Sequence, residues 1–168
     1  MPKKKDDKTN VMRILEQKKI KYNHYNYVDS GAISGVEVAT TLNQNPSQVF
    51  KTLVTRGKTG NNYVFVVPCD KELDLKKAAK ASGEKSIEMV KSKELLPLTG
   101  YIHGGCSPIG MKKTFTTFID SSAQNFDTII YSGGKVGYQV ETSLDDLYKI
   151  IRFALAPITG DCEKKSVN

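Results

Sequence analysis

The sequence predicts an α+β fold. Strand-like and helix-like patterns are interleaved along it without the regular βαβ alternation of a doubly wound sheet. A chain of 168 residues has the size of one compact domain that buries its own core without disulfides or metals. Its composition, 39% hydrophobic and 26% charged, is that of a globular chain, and no apolar run reaches the roughly 18 to 20 residues that cross a bilayer. The charged N-terminus MPKKKDDKTN is not followed by a signal-like apolar segment, which predicts a cytoplasmic protein with no membrane partner. The expected domain occupies residues 9–156, between a disordered basic tail over 1–8 and a C-terminal tail over 157–168.

The elements follow in order. Thr9 is placed as an N-cap, and Val11, Met12, Ile14 and Leu15 fall on one side of a short helix ending before Tyr22. YNHYNY reads as a strand, with Tyr25 and Tyr27 on one face and His24 and Asn26 on the other. Residues 35–42 form a second short helix, and NQNPSQ turns the chain into the β-rich run VFKTLVTR. GKTGNN is a hairpin turn leading to YVFVVP, an apolar run that predicts a strand buried on both faces. Over residues 73–82, Leu75, Ala78 and Ala79 share one helical face and Lys76, Lys77 and Lys80 the other, with Gly83 as C-terminal cap. SIEMV and a helix-like SKELLPL, interrupted by Pro97, lead to the loop GYIHGGCSPIG. Three strands are expected over 114–120, 128–131 and 136–141. A last helix, capped by Ser143, is predicted through Leu155 from the spacing of Leu144, Leu147, Tyr148, Ile151, Ala154 and Leu155, with Pro157 ending it.

A net charge of +7 suits a polyanionic partner, because fixed positive charge attracts phosphates and displaces their counterions. Residues 1–21 carry eight Lys and Arg, among them Lys3, Lys4 and Lys5, against three Asp and Glu. Charge alone leaves open a solvated tail ahead of a charged helix. The three cysteines, Cys69, Cys106 and Cys162, lack any CxxC spacing and stand beside only two histidines, His24 and His103. That predicts free thiols in a reducing compartment, with no metal site and no cofactor.

Two glycine-rich turns stand out, one at Gly104-Gly105-Cys106-Ser107-Pro108-Ile109-Gly110 and one at Ser132-Gly133-Gly134-Lys135. Paired glycines let backbone N–H groups approach a ligand, and they also occur as plain connectors. Neither turn is a nucleotide fingerprint, because Met111 stands where the P-loop lysine would be. Lys51 interrupts the apolar run VFKTLV, so its ammonium either snorkels into water or addresses a ligand. Tyr27 has a weaker claim, since a strand tyrosine is most often core packing with its hydroxyl at the surface. No Ser/His/Asp arrangement can be built, since neither histidine lies in a motif suited to a nucleophile.

Taken in order, the helix and tyrosine strand, VFKTLV, VVPCDKELDLKKAAKA, TGYIHGGCSPIG and SGGKVGYQVE before the final helix resemble the YbaK/EbsC family from about Lys8 to Leu155. The resemblance implies a single mixed α/β domain around a twisted, partly barrel-like sheet. It implies a trans-acting deacylase that hydrolyses the ester between a non-cognate amino acid and the terminal ribose of tRNA. The substrate implied is the acceptor end of proline tRNA carrying cysteine, with prolyl-tRNA synthetase as a partner. Residue by residue, the family's lysine falls on Lys51, its strand tyrosine on Tyr27, its glycine loop on Gly104 and Gly105, and its serine-glycine turn on Ser132, Gly133 and Gly134. Lys51 would anchor the phosphate or ribose of the terminal adenosine, Tyr27 would line the pocket, and the loop amides would polarise the ester carbonyl. Some relatives have Asp at Gln139, so the charge that would orient the substrate amine is absent here, and Glu141 is placed on the same strand face to compensate. For the cysteine-specific branch the resemblance implies attack by the substrate's own thiol, a lyase-type outcome. Two alternatives stay open: a water-using deacylase of alanine or another small amino acid, and a non-catalytic module that binds acceptor ends. A nucleophilic Cys106, with His103 as its base, is a rival within the enzyme reading.

Overall fold

In the computed structural model, which describes residues 8–32 and 34–160, capping chemistry sets the first helices. Thr9 Oγ1 accepts the Met12 N–H at 3.2 Å and starts α1 (Asn10–Gln17), which buries Val11, Met12 and Leu15. Ser34 and Glu37 form a reciprocal capping box at α2 (Gly35–Thr41), following β1 (Asn23–Asn26). Tyr27 is thus not a strand residue, and it opens a 3-10 turn over Val28–Ser30 with φ −120° and ψ 20°. The readings placed on Lys3, Lys4, Lys5 and Cys162 lie outside the described residues.

A long hairpin, β2 (Phe50–Gly57) and β3 (Asn62–Pro68), is the centre of a five-stranded sheet. Its register runs from Phe50 opposite Pro68 to Arg56 opposite Asn62. After β4 (Glu72–Leu73) and α3 (Leu75–Ser82), β5 (Ile87–Met89) adds antiparallel to β2. On the other side β6 (Thr116–Asp120) runs parallel to β3. As expected from its apolar run, β3 is buried on both faces: Val64 and Val66 enter the main core cluster, and Phe65 and Val67 enter a second one with Ala78, Ala79 and Ile158. Period-two alternation in one strand therefore supplies both cores, each such side chain contributing about 1.5 to 3 kcal/mol by burial.

The helix α4 (Ser92–Thr99) continues through Pro97 rather than ending before it. Pro97 removes the bond that the Lys93 carbonyl would accept, on an exposed turn of the helix. Arg56 of β2 holds this helix through a 2.7 Å ion pair with Glu94.

A second, antiparallel sheet is built from β1, β7 (Ile129–Ser132) and β8 (Tyr138–Thr142), in the order β1-β8-β7. A parallel bridge between Val49 and Ile130 links it to the start of β2. The sheets curve against each other without closing, so the expected barrel character does not extend to a closed barrel.

The last predicted helix is the main departure. Only α5 (Leu144–Tyr148) is helical, with Ser143 as its cap. Residues 154–156 instead form β9 (Ala154–Ala156), parallel to β6 with Phe118 opposite Ala154. A short apolar run satisfies helical and strand spacing alike, and the open edge of β6 supplies a ladder that one further helical turn does not. The fold also runs beyond residue 156. Ile158 is fully buried and donates its N–H to Asp120 Oδ1 at 3.0 Å, and β10 (Thr159–Gly160) pairs with β4.

Candidate active site

A cavity of about 420 Å³ lies where β2, the β1-β8-β7 sheet, the first turns of α2 and α4, and the loop over 100–110 meet. Of the residues singled out in the sequence, Tyr27, Lys51, Gly104, Ser132 and Gln139 line it. Gly105, Gly133 and Gly134 do not.

The reason lies in how the two glycine turns are built. Gly105 donates its N–H to the Ile102 carbonyl at 3.0 Å, and a Cβ there would stand 3.0 Å from the Val136 nitrogen. Its glycine is needed so that one turn can pack on the other, not to reach a ligand. Gly133 N–H donates to the Tyr138 carbonyl at 2.8 Å, and Gly134 N–H to Ser132 Oγ at 3.0 Å. These three amides are spent within the protein. Gly104, at φ +90°, is different: it lines the cavity, and no acceptor among the described residues takes its N–H.

Lys51 sits on β2 opposite Val67 and is half-buried. Among the described residues no ion pair or hydrogen bond engages its ammonium. Its charge reaches the neighbouring Cys69 thiol. Burial and Asp70 nevertheless push that thiol up to about 11, with Lys51 pulling the other way. Cys106 is pushed up to about 12 by burial. Both thiols on the cavity wall are therefore neutral near pH 7, and no hydrogen bond joins Cys106 to His103.

Gln139, on β8, is 5% exposed, and its Oε1 accepts from Gln44 Nε2 at 2.8 Å. Glu141 does share its strand, but its carboxylate is taken by Tyr25 Oη at 2.5 Å, Asn23 Nδ2 at 3.3 Å and the Thr128 hydroxyl. Burial raises its carboxyl, and these hydrogen bonds outweigh burial and hold it below the ordinary value. It does not line the cavity, so it does not stand in for the missing aspartate.

Several lining residues escaped sequence reasoning. Lys91 and Ser92 bring a second ammonium and the amino end of α4, whose N-cap position makes no side-chain cap. Thr52 presents a buried hydroxyl without a partner. The junction of SIEMV with SKELL could have marked Lys91, whereas nothing local marks Gln44 or Thr52. Among the described residues no group of three His, Cys, Asp or Glu side chains is placed to hold a metal ion.

Residues 31–150 match the family model described as the aminoacyl-tRNA editing domain. The chain is 46% identical over 158 residues to EbsC of Enterococcus faecalis, named as a candidate Cys-tRNA(Pro)/Cys-tRNA(Cys) deacylase, covering 94% of this chain and 96% of that protein. It is 27% identical over 111 residues to YwhH of Bacillus subtilis, covering 66% of this chain and 70% of that one. The fold also matches the crystal structure of a candidate trans-editing enzyme for prolyl tRNA synthetase, with a TM-score of 0.79 at 21% identity over 92% of this chain and 99% of that one.

Proposed function

The chain belongs to the aminoacyl-tRNA editing domain family, and on that premise we propose that it is a trans-editing deacylase that removes cysteine from proline tRNA. The observation that carries the reading is the cavity itself: among the described residues, Lys51 and Gly104 line it with an ammonium and an N–H that have no protein partner, and the thiols that line it are neutral. Such a site positions an ester and stabilises an oxyanion without supplying a nucleophile.

Lys51 anchors the phosphate or ribose of the terminal adenosine, and Tyr27 closes one side of the pocket. The Gly104 N–H donates to the ester oxygen as it becomes negative. The nucleophile is then the thiol of the bound cysteine. Its sulfur bonds to the carbonyl carbon, the ester C–O bond breaks, and the thiol proton leaves with the ribose hydroxyl. Water opens the resulting thiolactone to free cysteine. Selection by thiol chemistry suits a substrate close to proline in size, where pocket shape alone discriminates poorly. Choice of tRNA is delegated to a prolyl-tRNA synthetase partner in the cytoplasm, since a domain this small grips little beyond the acceptor end.

Deacylation of proline tRNA charged with cysteine, serine or alanine, measured side by side, tests this. The cysteine ester is expected to be cleaved at least about 100-fold faster than the serine ester, and Lys51→Ala to lose about 100- to 1,000-fold in kcat/KM with its circular dichroism unchanged. Equal or faster cleavage of the serine or alanine ester would mean an attacking water. No turnover of any ester would leave an acceptor-end binding module.

A further inference from the structure

Lys51, Lys91 and the imidazole of His103 line the cavity wall, and among the described residues no aspartate or glutamate does. A free α-ammonium would meet no carboxylate on the lining itself, the charge of Asp70 reaching the wall only through its neighbour Cys69. Glu141 is held away by Tyr25, Asn23 and Thr128.

What the wall does offer at this point is an amide. The end of α2 sets it in place: Asn43 adopts φ +60°, and the Gln44 N–H returns to the Ala39 carbonyl at 2.7 Å. The Gln44 side chain then donates Nε2 to Gln139 Oε1 at 2.8 Å. The Gln139 Oε1 keeps a second lone pair, and the Gln139 N–H2 is unspent. That nitrogen has no acceptor among the described residues, and unlike Gln44 Oε1 it is not among the sealed, unpartnered atoms. The cavity therefore receives a neutral amide that both donates and accepts. Its oxygen accepts from an ammonium without forming an ion pair, and its N–H2 donates to a carbonyl, a neutral amine or a sulfur.

We propose that Gln44 and Gln139 act as one unit that sets the acyl preference of this site, admitting aminoacyl esters whose α-nitrogen carries no charge, N-acylated ones included, as well as those with a free ammonium. Gln139 is the group that touches the acyl portion, and Gln44 is a positioning residue. The inference rests on the deacylase reading for its ligand class, and its test is independent of turnover.

The probes are two non-hydrolysable adenosine 3′-amides, one carrying cysteine with a free amine and one carrying N-acetylcysteine, titrated calorimetrically against the full chain. The native protein is expected to bind the two within about threefold, and Gln139→Asp to favour the free ammonium by at least about tenfold, because a carboxylate adds an ion pair. Gln44→Glu gives a second arm. A carboxylate at 44 accepts from Gln139 Nε2 and turns the Gln139 carbonyl toward the cavity, so the preference should move in the same direction, which loss of packing alone would not cause. The proposal falls if the native protein prefers the free amine by more than about tenfold, if both variants leave the ratio unchanged, or if neither probe binds. Should the native ratio stay near one while no charged tRNA is hydrolysed, the deacylase reading falls and the acyl preference stands.

Discussion

Lys51 and Gly104 bring to one cavity two groups whose hydrogen-bonding capacity the protein does not use itself, and Cys106 beside them is a thiol kept protonated. Burial raises Cys106 to about 12, so at pH 7 it is about five units from ionising and the thiolate needed for attack is scarce. Cys106→Ala should leave the rate of cysteine release within about threefold of native, whereas a covalent thiolate mechanism would lose about 1,000-fold or more. A single-turnover assay on charged tRNA separates these outcomes. At Lys51 the run VFKTLV by itself favoured an amphipathic strand with its ammonium in water, because a long side chain at a strand surface most simply snorkels. Gln139 shows the limit more sharply. Its departure from the aspartate of some relatives was legible, but the hydrogen bond that orients its amide comes from Gln44, 95 residues away along the chain.

The elements that capping and alternation specify are found where those patterns place them: α1 from Thr9, the start of α5 at Ser143, and the β2–β3 hairpin around its glycine turn. Each rests on interactions between residues close in sequence. The stretch over 149–156 was misread because its outcome depends on β6, a distant strand whose open edge competes with helix continuation. Helix α4 likewise depends on a distant partner. Its ion pair from Arg56 to Glu94 is about one-third exposed on both sides, so Arg56→Ala should cost about 1 kcal/mol or less in a urea unfolding curve. Because the same helix carries Lys91 and Ser92 to the cavity, KM for charged tRNA should rise more than kcat falls. A change in kcat alone would show that α4 does not help hold the substrate.

Across the whole molecule, titratable groups make stability depend on pH at both extremes. Glu141 is held below its ordinary value of 4.5 by hydrogen bonds that outweigh burial, and Glu84 by Thr59 and Tyr63. A depressed carboxyl contributes stability that is present above its unfolded pKa and lost as pH falls through the folded one. Tyr22 and Tyr101, raised mainly by burial, and Tyr25, raised by Glu141, reach about 12 from 10.0. Their contribution is full below the unfolded value and is lost as pH rises through the folded one. Thermal melts followed by circular dichroism should show a Tm plateau from about pH 5 to 10, falling on either side. Glu141→Gln should shrink the acid-side fall, and an unchanged acid limb would assign it to other carboxylates. By itself the sequence determined the α+β class, the capped helices, the doubly buried β3 and, through its ordered motifs, the family, because all of these rest on local hydrogen bonding and periodicity. Only the tertiary structure decided that residues 154–156 join a sheet, that the Gly105, Gly133 and Gly134 amides are spent while that of Gly104 has no acceptor among the described residues, and that Gln44 orients the Gln139 amide. Each of those outcomes is a competition for hydrogen-bond partners that are distant in sequence or hidden in turn geometry, and the fold settles it by bringing one of the competitors within reach.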